Sequence, residues 1–311
     1  MINLIYRDEH LALGATDFEL TRMLRRGELV HVGPGAYARR EDWRALEPMG
    51  QHRMRVLAAA RRMHSDAVFS HHAAAALWGI RVLGPWPVPV DITIERASGG
   101  RSTGQIKRHA GGLRGVEVVQ FDGLLVTTPA QTAVDLARSL PFTQGVAVID
   151  SAVHRRRNPG SRADRDHVLE LAGAARGRHV ARLRAAAGFS TDLSDSVEES
   201  HSRVLIHVLG FPAPELQVSF ALPRGGRAST DFYWRDQDHA GECDGRSKYR
   251  DPNILRGRRP EDIVIEEKNR ENELRRVVGR LSRWEPSELY TPSRFYDRLV
   301  RDGLPTSRPR P

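Results

Sequence analysis

Near the C-terminal end of the chain, three carboxylates have the types and spacing to hold a hard metal ion. Glu242 and Asp244 stand two apart in a run from about Ala240 to Asp244 that reads as a strand. They therefore point the same way, with Cys243 opposite. A preceding strand, Ser229-Thr230-Asp231-Phe232-Tyr233-Trp234, carries Asp231. If the two strands are neighbours and Asp231 falls beside Glu242, the three carboxylates converge. Mg²⁺ requires oxygen ligands, retains several waters and joins a few carboxylates to a phosphate oxygen. Such an ion polarises a phosphodiester and lowers the pKa of a bound water, which becomes the nucleophile. The expected chemistry is phosphodiester hydrolysis with Mg²⁺ or Mn²⁺. Carboxylates also repel a polyanion, so the nearby cations Arg246, Lys248 and Arg250 are needed beside the metal.

The elements that must position these groups fall between about residues 194 and 304, in the order helix, strand, strand, long loop, helix, strand, helix. Val197 to Leu209 reads as a helix. Its Leu205, Ile206, Val208 and Leu209 put the apolar centre near Glu198 and leave Glu199 at the edge, so one of these two carboxylates borders a cleft. Gln217 to Phe220 is a short strand, turned at Pro223-Arg224-Gly225-Gly226 into the strand of Asp231.

The segments ESHSRVLIHVLGFPAPELQ, STDFYW, GECDGRSKY, EEKNRENELRR and RLSRWEPSEL follow one another over the last third of the chain. In that order they resemble a bacterial domain related to very-short-patch-repair endonucleases, in the PD-(D/E)XK nuclease superfamily. The resemblance implies that the family's helix glutamate corresponds to Glu199, its first metal-site aspartate to Asp231, and its E-x-D-G strand to Glu242, Asp244 and Gly245. The helix-borne lysine corresponds to Lys268. On this footing Asp231 and Glu242 are metal ligands, and Asp244 or Glu199 is a further ligand or a water-orienting group. Lys248 or Lys268 contacts phosphate. The chain departs from the superfamily's E-x-K pattern by placing Asp244 where lysine is usual. Lys248, four residues beyond, is the substitute. Each residue also has a structural rival: Glu199 can pair with Arg203, Asp231 can cap a turn, and Lys268 can bond Glu267 or Glu271 on its own helix.

The N-terminal 45 residues read as helix, helix and hairpin. Tyr6 to Leu13 is a short helical pattern stopped by Gly14. Thr16-Asp17-Phe18-Glu19 is a capping box opening a second helix that runs to about Arg26. Phe18, Leu20, Met23 and Leu24 supply its inner face, leaving Thr21, Arg22, Arg25 and Arg26 outward. Leu29 to Val32 and Ala36 to Ala38 are strands about a Gly33-Pro34-Gly35 turn. Helix, helix and hairpin resemble a winged helix-turn-helix, whose second helix enters the major groove. The run MLRRGELVHVGPGAYA is similar to the N-terminal domain of AbiEi-type antitoxins, which repress their own operons. Thr21, Arg22, Arg25 and Arg26 are then the expected DNA contacts, and a cognate toxin is an expected partner.

Residues 46 to 190 read as an α/β unit. Ser70 caps an alanine-rich helix ending at Gly79, and Val88, Val90, Ile92 and Ile94 alternate with polar or proline positions as in a half-buried strand. Thr128-Pro129 opens a further helix, with proline where its missing amide does no harm. LLVTTPAQTAVDLA resembles the body of AbiEi-like proteins. His71-His72 reads as capping or packing rather than a metal pair, because adjacent helical residues diverge.

The chain has 311 residues and a formal net charge of +9, with a pI near 10.3. That balance favours a polyanionic partner through counterion release. Hydrophobic residues at 40% and charged residues at 28% fit folded globular units rather than a disordered chain. The single Cys243 cannot form an internal disulfide, consistent with a reducing compartment. No apolar run approaches the length of a membrane span, so a cytoplasmic protein is expected. The expected plan is α/β and multi-domain: a winged helix-turn-helix over 1–45, an AbiEi-like body over 46–190, a PD-(D/E)XK nuclease-like domain over 191–304 and a disordered tail over 305–311. Two functions follow: a Mg²⁺-dependent endodeoxyribonuclease, or a toxin–antitoxin or defence-operon repressor whose nuclease fold has decayed.

Overall fold

The computed structural model describes residues 3–63, 66–95, 102, 104–110, 112–223, 225–243, 270 and 272–311. The chain divides into two units, residues 1–190 and residues 191–311. Both mix helices with sheet. Among the described residues no helix is long and apolar enough to cross a membrane.

The first unit opens with β1 (Ile5–Tyr6), α1 (Arg7–Ala12), α2 (Asp17–Arg25), β2 (Leu29–Gly33) and β3 (Ala36–Arg39). Tyr6, expected to start the first helix, instead pairs with Ala36 in a sheet of order β1-β3-β2. The capping box of α2 forms as expected: Glu19 N–H donates to Thr16 Oγ1 at 3.3 Å, and Thr16 N–H donates to Glu19 Oε2 at 2.8 Å. Leu20, Met23 and Leu24 pack against Leu29, Tyr37 and Ile5. Phe18, expected on that inner face, is 72% exposed. Two residues of helix turn a side chain by about 200°, so Phe18 cannot share the face of Leu20. In the hairpin, Gly35 has a φ of +66°, a backbone position that favours glycine.

After α3 (Arg40–Ala45) and α4 (Pro48–Ala60) come β4 (Val68–Phe69), α5 (His71–Trp78), β5 (Val90–Thr93), β6 (Ile106–His109), β7 (Val118–Phe121) and β8 (Leu124–Thr127). These strands form a mixed sheet of order β6-β5-β4-β8-β7. The expected half-buried strand is instead buried at all four positions of β5. It lies inside the sheet, and Asp91 meets imidazoles rather than water. The unit closes with α6 (Pro129–Ser139), α7 (Phe142–Val153), α8 (Arg165–Ala174) and α9 (Val180–Phe189). Pro129 sits at the first position of α6, and Thr128 Oγ1 accepts from Gln131 N–H at 3.1 Å.

The second unit contains α10 (Val197–Val208), β9 (Glu215–Ala221), β10 (Arg227–Trp234), β11 (His239–Cys243), β12 (Arg280–Trp284) and α11 (Pro292–Arg301). Its sheet has the order β12-β11-β10-β9 and is antiparallel except for the β11–β12 pair. One apolar cluster joins Leu205, Ile206, Phe232, Trp234, Trp284, Phe295 and Leu299. Another joins Ala228, Tyr233, Ala240, Leu274 and Val278. Removing this much aromatic and aliphatic surface from water is the main favourable contribution to the fold. The two tryptophans are core residues, with Trp234 Nε1 donating to Pro212 O at 2.7 Å and Trp284 Nε1 to Ser202 Oγ at 2.9 Å.

Residues 305–311, expected as a disordered tail, are instead tied down. Thr306 Oγ1 donates to Leu209 O at 2.8 Å, Ser307 N–H to Gly210 O at 3.0 Å and Arg308 Nη1 to Val208 O at 2.8 Å. The carbonyls at the end of a helix lack intrahelical donors, and the terminal segment supplies them. Arg310 adds a two-point pair with Asp297, at 2.7 and 2.9 Å.

Candidate functional site

Glu199 is fixed by the start of α10. Ser196 is the N-cap, and its Oγ accepts from Glu199 N–H at 3.1 Å. The Glu199 carboxyl reaches back, accepting from Ser196 Oγ at 3.0 Å and from Asp195 N–H at 2.9 Å. This return over the helix terminus draws Glu199 inward, and it is only 6% exposed. The sequence expectation put Glu198 at the apolar centre and Glu199 at its edge. The order is reversed because the cap, rather than the apolar stripe, directs the side chain. Gln217 Nε2 donates to the same carboxyl at 3.1 Å.

Gln217 was not legible as a site residue. Its φ is +53°, a left-handed conformation that is uncommon for a residue other than glycine. The β9–β10 pairing matches Thr230 with Val218 and Phe232 with Leu216, stepping over Asp231 and Gln217. The irregular position in the sheet therefore coincides with the candidate site.

Asp231 precedes Phe232, which pairs with Gly241 across β10 and β11. Asp231 and Glu242 stand one residue beyond that last matched pair. Asp231 Oδ2 accepts from Cys243 N–H at 2.9 Å. Burial, and then the negative charge of Asp231, push the Glu199 carboxyl up to about 8. Glu199 thus holds a proton at neutral pH where an ordinary carboxyl has lost it. The same surroundings act on Cys243, whose buried thiol is pushed up to about 12, leaving it protonated and inert as a nucleophile.

Glu242 is 5% exposed. Arg270 Nη2 donates to its Oε1 at 3.1 Å, and Arg283 Nε lies 3.2 Å from Oε2. The second contact is an ion pair by distance without hydrogen-bond geometry, so Oε2 has no hydrogen-bond donor among the described residues. Glu242 and Arg283 are matched residues of the parallel β11–β12 pair. Neither arginine was identified from the sequence. Asp244, Lys248 and Lys268 lie outside the described residues. Among the described residues, no three histidine, cysteine, aspartate or glutamate side chains are placed together to hold a metal ion.

Thr21, Arg22, Arg25 and Arg26 are all exposed on α2. With Asp17 and Phe18 they line a surface cavity of about 420 Å³. Arg26 lies 3.9 Å from Glu28. Arg22 and Arg25 have no carboxylate partner among the described residues, so they present two uncompensated cations beside an exposed aromatic ring.

A further polar cluster occupies the first unit. Asp91, 1% exposed, meets His109 Nε2 at 2.7 Å, His72 Nδ1 at 3.3 Å and Lys107 Nζ at 3.8 Å. The His71 ring stacks on His109 with centroids 3.6 Å apart. Ser70, expected to cap α5, makes no side-chain cap bond. Its Oγ instead accepts from Thr93 Oγ1 at 2.9 Å and lies 3.0 Å from His71 Nδ1. Burial opposes ionisation of Asp91, but the hydrogen bond from His109 and the His72 imidazole 3.3 Å away prevail and hold it below the usual carboxylate range. Burial lowers His71 to about 3 and His52 to about 4.

No protein-family model matches the chain. Over 228 residues it is 28% identical to the uncharacterized protein Rv2248 of Mycobacterium tuberculosis (strain ATCC 25618 / H37Rv), covering 72% of this chain and 76% of the relative. The uncharacterized protein MT2308 of Mycobacterium tuberculosis (strain CDC 1551 / Oshkosh) is similar to the same extent, 28% identical over 228 residues.

Proposed function

We propose that the chain is a DNA-associated protein whose second unit is a PD-(D/E)XK-like phosphodiesterase for DNA, delivered by an AbiEi-like winged helix-turn-helix at its N-terminus. The observation that carries this proposal is the closeness of Glu199 and Asp231, whose charge helps to raise the Glu199 carboxyl, at the irregular position inside β10, with Glu242 on the adjoining strand β11. A divalent cation would favour the ionised form of the raised Glu199 carboxyl and would face a buried Glu242 oxygen that has no hydrogen-bond donor among the described residues. Asp231, Glu242 and Glu199 would hold Mg²⁺ or Mn²⁺, with Asp244 as the remaining candidate. When bound, the ion would polarise the scissile phosphate and acidify a water. Arg270 and Arg283 hold the Glu242 carboxylate in place, while Asp195, Ser196 and Gln217 orient Glu199. On α2, Arg22 and Arg25 would contact phosphate, with Thr21 and Arg26 beside them.

The test is incubation of supercoiled, linear and single-stranded DNA with the protein and Mg²⁺ or Mn²⁺. Metal-dependent nicking or degradation of at least one substrate is expected. No cleavage of any substrate would remove the enzymatic assignment.

A second function is favoured by the two arginines on Glu242, which already compensate its charge. It is an antitoxin-like repressor, with a cognate toxin as partner, in which the nuclease fold is a binding platform. A repressor binds its own upstream DNA far more tightly than random duplex. Equal affinity for the two sequences would exclude it.

A further inference from the structure

The first unit contains a cavity of about 520 Å³ away from the exposed face of α2. Its walls come from the β2–β3 hairpin, α4 and the strands β5 and β6. Arg55 and Arg62 stand seven apart, two turns along the same side of α4 and its end. Arg108 on β6 also lines the cavity. Val32, Met63, Val90 and Ile106 supply an apolar wall, and His31 and Gln105 supply polar groups.

The state of Arg55 distinguishes this cavity from an ordinary solvated surface. Arg55 is half-buried, lies over the Trp43 ring at 5.1 Å, and has no carboxylate partner among the described residues. Burial alone lowers its pKa. Arg62 likewise has no carboxylate partner among the described residues, and its Nη1 lies 3.5 Å from the position a Cβ would take on Gly35. A partly dehydrated cation with nothing opposite it is unfavourable until an anion arrives. Guanidinium groups match phosphate oxygens in two-point geometry. The volume falls within the small-ligand range, roughly 300–1,000 Å³, and the apolar wall calls for a ligand body as well as a charged head.

We infer that this cavity binds a small phosphate ester with a flat or apolar body, of the nucleoside phosphate class, with Arg55 and Arg62 on the phosphate and the Val32–Ile106 side against the body. The site is independent of the carboxylate centre and of whether α2 binds DNA. A double helix is too wide to enter a cavity walled by four elements, so a DNA phosphate could touch only its rim.

The test is calorimetric titration of the full chain with AMP, ATP, adenosine and inorganic phosphate at fixed ionic strength. AMP or ATP is expected to bind at least tenfold more tightly than adenosine or phosphate. Arg62→Ala, at an exposed position that does not endanger folding, is expected to weaken that binding at least tenfold, and Arg55→Ala similarly. Arg227→Ala, on β10 of the other unit, is expected to leave it unchanged. Absence of nucleotide binding would overturn the assignment. So would equal affinity for inorganic phosphate, which marks a bare anion site, equal loss in all three variants, which marks nonspecific charge, or displacement of the nucleotide by a short DNA duplex with the same dependence on Arg62, which marks a DNA contact.

Discussion

Buried Glu199 feels the charge of Asp231 in the second unit, and burial first, with that charge second, raises the Glu199 carboxyl to about 8. Between the ordinary glutamate value of 4.5 and that raised value, the folded state keeps a proton that the unfolded chain releases. Stability contributed by this group is therefore complete at low pH and is lost as pH rises through the window. Urea unfolding of the second unit's transition in wild type and Glu199→Gln is expected to show the slope only in wild type, with a total on the order of a few kcal/mol. A slope unchanged in Glu199→Gln would assign it to other groups.

Glu242 is expected to matter for folding as well as for any metal. Glu242→Gln removes the charge that Arg270 and Arg283 face and is expected to destabilise by about 2 kcal/mol, the scale of a hydrogen bond to a charged group. Chemical denaturation measures this directly, and a loss below about 0.5 kcal/mol, the range of ordinary surface changes, would show the pairing to be unimportant.

The Asp91 cluster predicts acid sensitivity of the first unit. His52 and His71 stay neutral in the folded state down to about 4 and about 3, whereas the unfolded chain takes up their protons near 6.5. Stability is thus lost as pH falls below 6.5. Asp91, held low, contributes stability above the ordinary aspartate range and loses it as acid protonates it. Asp91→Asn is expected to destabilise by about 2 kcal/mol, the scale of hydrogen bonds to a charged group. Thermal unfolding between pH 4 and pH 8 checks both, and a melting temperature independent of pH would contradict them.

On α2, the Arg22→Ala, Arg25→Ala double variant is expected to weaken duplex binding and to lower the slope of log affinity against log salt by about 2, because each lost phosphate contact removes about 0.9. Fluorescence anisotropy across a salt series measures the slope. Unchanged affinity and slope would remove α2 from the interface.

Local chemistry made several elements legible in the sequence. Thr16 and Glu19 announced their capping box, and Thr128-Pro129 announced the start of α6, because both signals lie within one helical turn. The alternation in β10 and β11 led to neighbouring Asp231 and Glu242. Phe18 and Glu199 were misplaced for different reasons: helical phase turned Phe18 outward, and capping drew Glu199 inward. Gln217 and Arg283 reach the site through strand pairing across distant sequence, Arg270 comes from a helical position, and no local pattern in the chain marks them. The His71–His109 stack was hidden likewise, since only the sheet brings β6 beside α5 and β5.

The most direct measurement of the central claim is metal-dependent cleavage by wild type compared with Asp231→Asn, a change that keeps the side chain's size and its acceptor for Cys243 N–H. Wild type is expected to nick or degrade DNA with Mg²⁺ or Mn²⁺, and Asp231→Asn to lose at least a hundredfold in rate while keeping its fold by circular dichroism and its affinity for DNA. Cleavage retained by a folded Asp231→Asn, or no cleavage by wild type that still binds DNA, would contradict the assignment of this carboxylate centre as a nuclease site.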